Sequence, residues 1–297
     1  MSVHTYRFID PRALAAIARL ELVAKTVVDG FMLGLHHSPH SGIGLEFSQY
    51  RSYQPGDDLR QVDWKVYARS DKFFVRESEV ETSITIRFML DSSASMNHTE
   101  NGLSKFDYAR FLVASLAYLS HHQGDAIALT ALNSQQQVCI EPRHHPQHLH
   151  RILHTLESLT AQSKWDEWHM LETVLRPLRH RELIVFISDL HEHTEELQTA
   201  LRKLAGQRNE VLLCHLLGAN ELTLLQPAAA IFEDLETGER VPVQTEAIRQ
   251  AYQAAFTAHL SSLREKFLEH RIFYHRFLIQ EPLDRALQAF LNARKKL

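Results

Sequence analysis

A chain of 297 residues with 44% hydrophobic content holds enough apolar material for one large domain, or for one domain with a substantial appendage, without a covalent staple. Its formal net charge of −4 comes from nearly balanced acids and bases, which excludes a general electrostatic attraction to nucleic acid. No apolar run reaches the roughly 18 to 20 residues that span a bilayer, and the N-terminus lacks a secretory pattern, so a cytoplasmic protein is expected.

In chain order, residues 11–34 place Leu14, Ile17, Ala18, Leu22, Val23 and Val27 at helical spacing, opened by Pro11 and closed near Gly30 and Gly34. One amphipathic helix is predicted there. Residues 36–56 concentrate turn formers, including Ser38-Pro39 and Pro55-Gly56, and read as a folded loop region. Phe73-Phe74-Val75 is extended, and residues 84–90 read as a buried central strand that stops at Asp91. Residues 105–122 predict an amphipathic helix, 126–132 and 137–140 two short strands, and 146–159 and 169–178 two helices. Residues 183–187 are the clearest buried strand and again end at an acid, Asp189. A helix at 195–205, a strand at 211–217, a hairpin at 231–243 turning at Thr237-Gly238, a long helix at 245–269, a strand at 271–279 and a helix at 282–295 complete the pattern. Alternating helices and continuous apolar strands predict an α/β fold with a mostly parallel sheet covered on both faces. The expected organisation is an N-terminal helix and irregular or β appendage over residues 1–80, followed by the α/β domain over 81–297.

Cys139 and Cys214 sit in apolar, strand-like runs and are expected as buried free thiols. Twenty histidines include no zinc-like Cys/His spacing, and His191 and His193, just after Asp189, read as solvated loop residues. The cationic Arg294-Lys295-Lys296 reads as the solvated last turn of a helix.

The informative segment is Phe88-Met89-Leu90-Asp91-Ser92-Ser93-Ala94-Ser95-Met96. A buried strand here delivers a carboxylate and alternate hydroxyls to its carboxyl end, where open α/β sheets place ligand crevices. Such oxygens suit a hard divalent cation, Mg²⁺ or Mn²⁺. The strand ending in Ser188-Asp189 is placed to bring a second carboxylate to the same rim. The alternative is that Ser92, Ser93 and Ser95 satisfy backbone groups in a turn.

These residues resemble the metal-ion-dependent adhesion site of von Willebrand factor A (vWA) domains, in which an Asp-x-Ser-x-Ser loop, a Thr from a later loop and a further Asp surround one metal ion. Asp91, Ser93, Ser95 and Asp189 match in type and order. The Thr has no clear counterpart in residues 160–171; Thr160, Ser163 and Asp166 are the candidates, with Asp166 equally placed to cap a helix.

The resemblance extends upstream. Gly44 to Phe47, then Arg51, Tyr53, Pro55, Gly56, Asp57, Asp58 and Arg60, then Asp63, Trp64, Tyr67 and Arg69 resemble the signature of domain-of-unknown-function family 58, which pairs it with a vWA-like core. Glu221 and Asp234 to Gly238 resemble that family's late motif, although Ala219-Asn220 replaces the Asp-Pro that often precedes the glutamate. Read as chemistry, Pro55-Gly56 supports a tight turn and the charged residues around it lock an irregular segment, while Trp64 and Tyr67 anchor it by burial. The resemblance implies a non-enzymatic adaptor that works with a MoxR-type AAA+ ATPase in protein maturation or complex assembly. Two other readings stay open: a metal-free vWA-like scaffold, which the unmatched Thr suggests, and a metal-dependent hydrolase, for which no phosphate-cradling loop or nucleophile elbow is found.

Overall fold

The computed structural model describes residues 11–15, 17, 19–36, 49–53, 64–70, 72–77, 83–132, 137–162, 181–191, 194–207, 209–224, 230–235 and 237–294. Two compact units divide the chain, residues 1–32 with 83–297 and residues 33–82. The N-terminal helical segment therefore groups with the α/β core, whereas the sequence reading joined it to the signature segment.

In the smaller unit, strand Gln49–Ser52 pairs antiparallel with strand Phe74–Glu77, and helix Trp64–Ser70 comes between them in sequence. Tyr67 stacks on Phe73 with ring centroids 4.3 Å apart, and Trp64 meets both rings edge-on. Trp64 is nevertheless 57% exposed, which corrects the expectation that it anchors by burial: its edge contacts leave most of the indole in solvent. Arg69 is exposed in the last turn of the helix. Arg51 lies on the first strand and Tyr53 follows it; Pro55, Gly56, Asp57, Asp58, Arg60 and Asp63 lie outside the described residues.

The larger unit is built on a six-stranded sheet. Its strands are β1 (Thr85–Asp91), β2 (Ala126–Leu132), β3 (Gln137–Arg143), β4 (Glu182–Ser188), β5 (Glu210–Leu217) and β6 (Ile272–Leu278). The spatial order is β3-β2-β1-β4-β5-β6, parallel throughout except for the antiparallel edge strand β3. Strand β1 is buried on both sides, as its mostly apolar run requires. Met89 joins one core with Leu197, Leu201, Leu263 and Phe267 from helices Thr194–Gly206 and Thr245–Glu269. Its neighbour Phe88 stacks at 6.5 Å on Phe290 of helix Asp284–Arg294. Arg87, the one charge within that run, is neutralised by a two-pronged ion pair to Glu182 on β4, at 2.8 and 3.2 Å.

Helix Lys105–His122 and strand β2 have the bounds expected from sequence. The predicted first helix is instead two, Pro11–Leu14 and Leu20–His36. A distant group accounts for the restart: the Glu157 carboxylate accepts the Leu20 N–H at 2.9 Å and caps a new helix start. The expected helix at 169–178 lies outside the described residues. Cys214 is buried as expected, but Cys139 is exposed, because it occupies the outward position of the edge strand between half-buried Val138 and buried Ile140. Among the described residues, no helix is long and apolar enough to cross a membrane.

Candidate functional site

The strand order fixes where a site can form. β1 connects to β2 on one side, while β4 lies on the other, so the point between β1 and β4 is the topological switch where ligands enter open α/β sheets. Asp91 ends β1, and Ser188 ends β4 with Asp189 next to it. Parallel pairing in the register Leu90 to Ile187 brings both acids to one rim.

Asp91, Ser93, Ser95 and Asp189 form a continuous chain of polar contacts. Asp91 Oδ1 accepts the Ser93 N–H at 2.9 Å, and Asp91 Oδ2 accepts the Ser188 hydroxyl at 2.6 Å. The hydroxyls of Ser93 and Ser95 lie 3.0 Å apart, and Ser95 donates to Asp189 Oδ1 at 3.2 Å. All four of the predicted residues are buried. The turn-forming alternative is present as well, since the Ser93 N–H closes on Asp91 and a 3₁₀ turn, Ala94–Asn97, follows.

The third predicted loop contributes through its backbone. Gln162 N–H donates to Ser92 O at 3.0 Å, and Asn97 Nδ2 donates to Ala161 O at 2.8 Å. Thr160 itself is exposed, and Ser163 and Asp166 lie outside the described residues, as does His193; His191 is exposed.

Sequence reasoning passed over Lys105. Its ammonium donates to Asp189 Oδ2 at 2.9 Å and to Glu221 Oε1 at 2.7 Å, with the side chain only 2% exposed. A cation at the first position of a helix faces the positive end of the dipole and a large desolvation cost, so it stays there only with anionic partners. The signal was legible: Lys105 shares the helical stripe of Ala109, Leu112 and Leu116, where a charge needs a buried counterion. Glu221 is held in turn by accepting the Gly218 N–H with its other oxygen. Glu100, also buried, accepts the Ala219 and Asn220 N–H groups at 2.9 and 2.8 Å and the Gln280 amide at 2.7 Å, which fixes the turn that carries Glu221. Gly218 is required by that approach, since a Cβ there would lie 2.2 Å from Glu100 Oε1.

The electrostatics follow from the contacts. Burial, and then repulsion from Asp189, push Asp91 up to about 6, against the lowering effect of the Ser188 and Ser93 hydrogen bonds. Burial alone would raise Asp189 too, but Lys105 outweighs it and holds that carboxyl below its usual range. Burial opposes the charge on Lys105, yet Asp189 and Glu221 keep the ammonium above its ordinary value. Beneath the rim, burial holds His215 down at about 4, where its ring bridges Asp189 O at 3.0 Å and the Tyr274 hydroxyl at 2.7 Å.

These residues fit a small divalent cation. Neighbouring ligands around Mg²⁺, at 2.0 to 2.1 Å in octahedral geometry, lie about 3 Å apart. The Ser93, Ser95 and Asp189 oxygens have that spacing. Charge agrees in direction: Asp189 and Glu221 share one ammonium, and Asp91 adds a further carboxyl group close enough to Asp189 to feel its charge. The donor set depends on hydroxyls, for among the described residues no group of three or more His, Cys, Asp or Glu side chains could hold a metal ion.

A cleft of about 240 Å³ opens at this rim, reaching Ser95, Lys105, Asp189 and Glu221 from the sheet side and Glu233, Asp234 and Leu235 from the predicted hairpin. The hairpin pairs Ala230–Glu233 with Arg240–Val243, and Asp234 organises its turn by accepting the Thr237 N–H. The late-motif residues Glu221, Asp234 and Leu235 thus converge on the cleft at this rim, a meeting that the sequence, with its hairpin turn at Thr237-Gly238, did not indicate.

The family model described as "Protein of unknown function DUF58" matches residues 49–262. The uncharacterized protein Rv1480 of Mycobacterium tuberculosis is 29% identical over 254 residues, covering 84% of this chain and 80% of that protein, and Mb1516 of Mycobacterium bovis matches to the same extent. Among solved structures, BatB from Bacteroides thetaiotaomicron aligns with a TM-score of 0.47 and 15% identity over 72% of this chain and 100% of its own. The SpRpn10 VWA domain aligns at 0.43 and 10% identity over 70% and 94%. The chain belongs to the DUF58 family, and its larger unit is an α/β fold on a mostly parallel six-stranded sheet.

Proposed function

We propose that this DUF58 protein is a non-enzymatic binding or adaptor protein that engages a protein partner, a MoxR-type AAA+ ATPase, at the Asp91 rim, in protein maturation or complex assembly. The observation that carries the reading is the meeting of Asp91, Ser93, Ser95 and Asp189 at the switch point of the sheet, with spacing and charge suited to Mg²⁺ or Mn²⁺. A bound ion there supplies a positive, oxygen-seeking centre able to take an acidic side chain from the partner.

The neighbouring hairpin suits the same role. Ile231 is 71% exposed, and Phe232, Leu235 and Val241 are exposed beside it. Ile231 pairs with Pro242 and Phe232 with Val241, so neighbouring cross-strand pairs present apolar side chains on both faces of the ribbon. Such a patch next to a polar cleft is the composition of an interface core with its rim. Glu233 and Glu221 are paired to Arg240 and Lys105, which softens the acidity an incoming carboxylate would meet.

Catalysis is the weaker reading at Ser95, because its hydroxyl donates to Asp189, whose affinity for protons Lys105 suppresses; a base so held accepts a proton poorly. The metal-free scaffold draws support from one observation, the ammonium already on Asp189. Calorimetric titration with Mg²⁺ and Mn²⁺, alongside a thermal-shift series, separates the two: heats of binding with a rise in melting temperature support the ion-dependent reading, and neither at millimolar ion supports the scaffold.

A further inference from the structure

Three features of Lys105 set it apart from an ordinary structural ion pair. It holds Asp189 through Oδ2 alone, while Oδ1 of the same carboxylate faces Ser95. It is buried at a helix start, with only 2% of its side chain exposed, so solvent screens it little. Its second anion, Glu221, is delivered by a separate turn that Glu100 and Gly218 lock in place, so the ammonium is clamped from two sides and does not swing away freely.

We infer that Lys105 sets the cation affinity of the Asp91 to Asp189 site: its ammonium is a built-in counter-cation on Asp189, and a divalent ion binds beside it against its charge. The inference rests on reading that rim as a cation site. A fixed positive charge a few ångström from the ion, sharing one of its carboxylates, weakens binding through both direct repulsion and withdrawal of Asp189 as a donor. The native site therefore binds divalent ions weakly and releases them readily, which suits an ion completed by a partner's ligand better than one held permanently. Replacing the ammonium with a neutral amide leaves the same oxygens facing a larger negative charge.

The test uses the full chain and Mn²⁺ alone. Isothermal titration compares the parent with Lys105→Gln and with Lys105→Arg, and thermal melts of each are taken in chelator and in excess Mn²⁺. Lys105→Gln is expected to bind Mn²⁺ roughly tenfold or more tightly, the effect of removing one nearby unit charge. Its melt should fall in chelator and recover in Mn²⁺ by more than the parent's rises, because the ion replaces the lost ammonium. Lys105→Arg, which keeps the charge, should bind no more tightly than the parent. Equal or weaker Mn²⁺ binding by Lys105→Gln overturns the inference, even where the parent binds Mn²⁺ and the ion-dependent reading survives. Binding by Lys105→Gln with none by the parent upholds the inference while removing the ion from the native function. Should Lys105→Gln fail to fold, the double variant Lys105→Gln/Glu221→Gln, which also removes one of the two anions, decides in its place: tighter binding than the parent supports the inference and equal binding refutes it.

Discussion

The Ser188 hydroxyl donates to Asp91 Oδ2 at 2.6 Å, joining the last residues of β4 and β1. That single contact latches the two strand ends that form the rim and counteracts the rise in the Asp91 pKa that burial and Asp189 impose. Ser188→Ala should therefore destabilise the protein by about 1.5 to 3 kcal/mol, the range for a hydrogen bond to a charged group. Since the bond favours the carboxylate form, the cost measured by urea denaturation should be greater at pH 8 than at pH 5. Equal cost at the two pH values would mean that Ser188 acts through packing or through the Leu190 N–H it accepts, and not on the Asp91 charge.

His215 gives the fold a predictable pH dependence. Burial depresses its pKa to about 4, against about 6.5 in an unfolded chain, so as pH falls the unfolded state takes up the proton first. The stability this neutral histidine contributes is fully present above about 6.5 and is lost as pH falls toward 4. The full span is worth about 3 kcal/mol, and about 2 kcal/mol of it falls between pH 7.5 and 5. His215→Gln should lose correspondingly less stability than the parent over that interval. Asp91 acts in the opposite direction, its contribution growing as pH drops through about 6, but it is common to both proteins and cancels in the comparison. Parallel pH profiles for the two proteins would contradict the assignment.

Gly218 and Glu100 should behave as one unit. With only 2.2 Å between a Cβ at residue 218 and Glu100 Oε1, Gly218→Ala must displace the carboxylate that caps the Ala219 and Asn220 amides. We expect a loss of about 1 to 3 kcal/mol for Gly218→Ala in chemical denaturation. Adding Glu100→Ala should cost much less than it does in the parent, a coupling of about 0.5 to 3 kcal/mol. Strictly additive losses would show that the close approach is relieved elsewhere.

How much of this was legible in the sequence follows from which signals are local. Strand β1, helix Lys105–His122 and helix Thr245–Glu269 carry their own periodicity, and the acids at the ends of β1 and β4 announce themselves as the residues where apolar runs stop. The pairing of β1 with β4, and with it the meeting of Asp91 and Asp189, needed only the general rule for parallel sheets. Contacts set by distant partners were not readable. Glu157, 137 residues from Leu20, divides the first helix, and Glu100 reaches a turn about 120 residues away. Strand Gln49–Ser52 was missed because its partner, Phe74–Glu77, lies beyond a helix, and its own four residues are too few to show alternation. Lys105 was visible as a charge on an apolar stripe, but its partners, Asp189 and Glu221, come from two other elements.

The most direct test of the central claim is the affinity of the purified MoxR-type AAA+ ATPase for the parent protein and for Asp91→Ala, each measured in excess Mg²⁺ and in chelator, with thermal melts alongside. Asp91 ends its strand and faces the Ser93 turn, so the variant is expected to stay folded. The account predicts that the parent binds in Mg²⁺ and that either chelator or Asp91→Ala weakens binding by about 2 to 5 kcal/mol, as for one member of a buried charged interface pair. Equal affinity in all four conditions would contradict it.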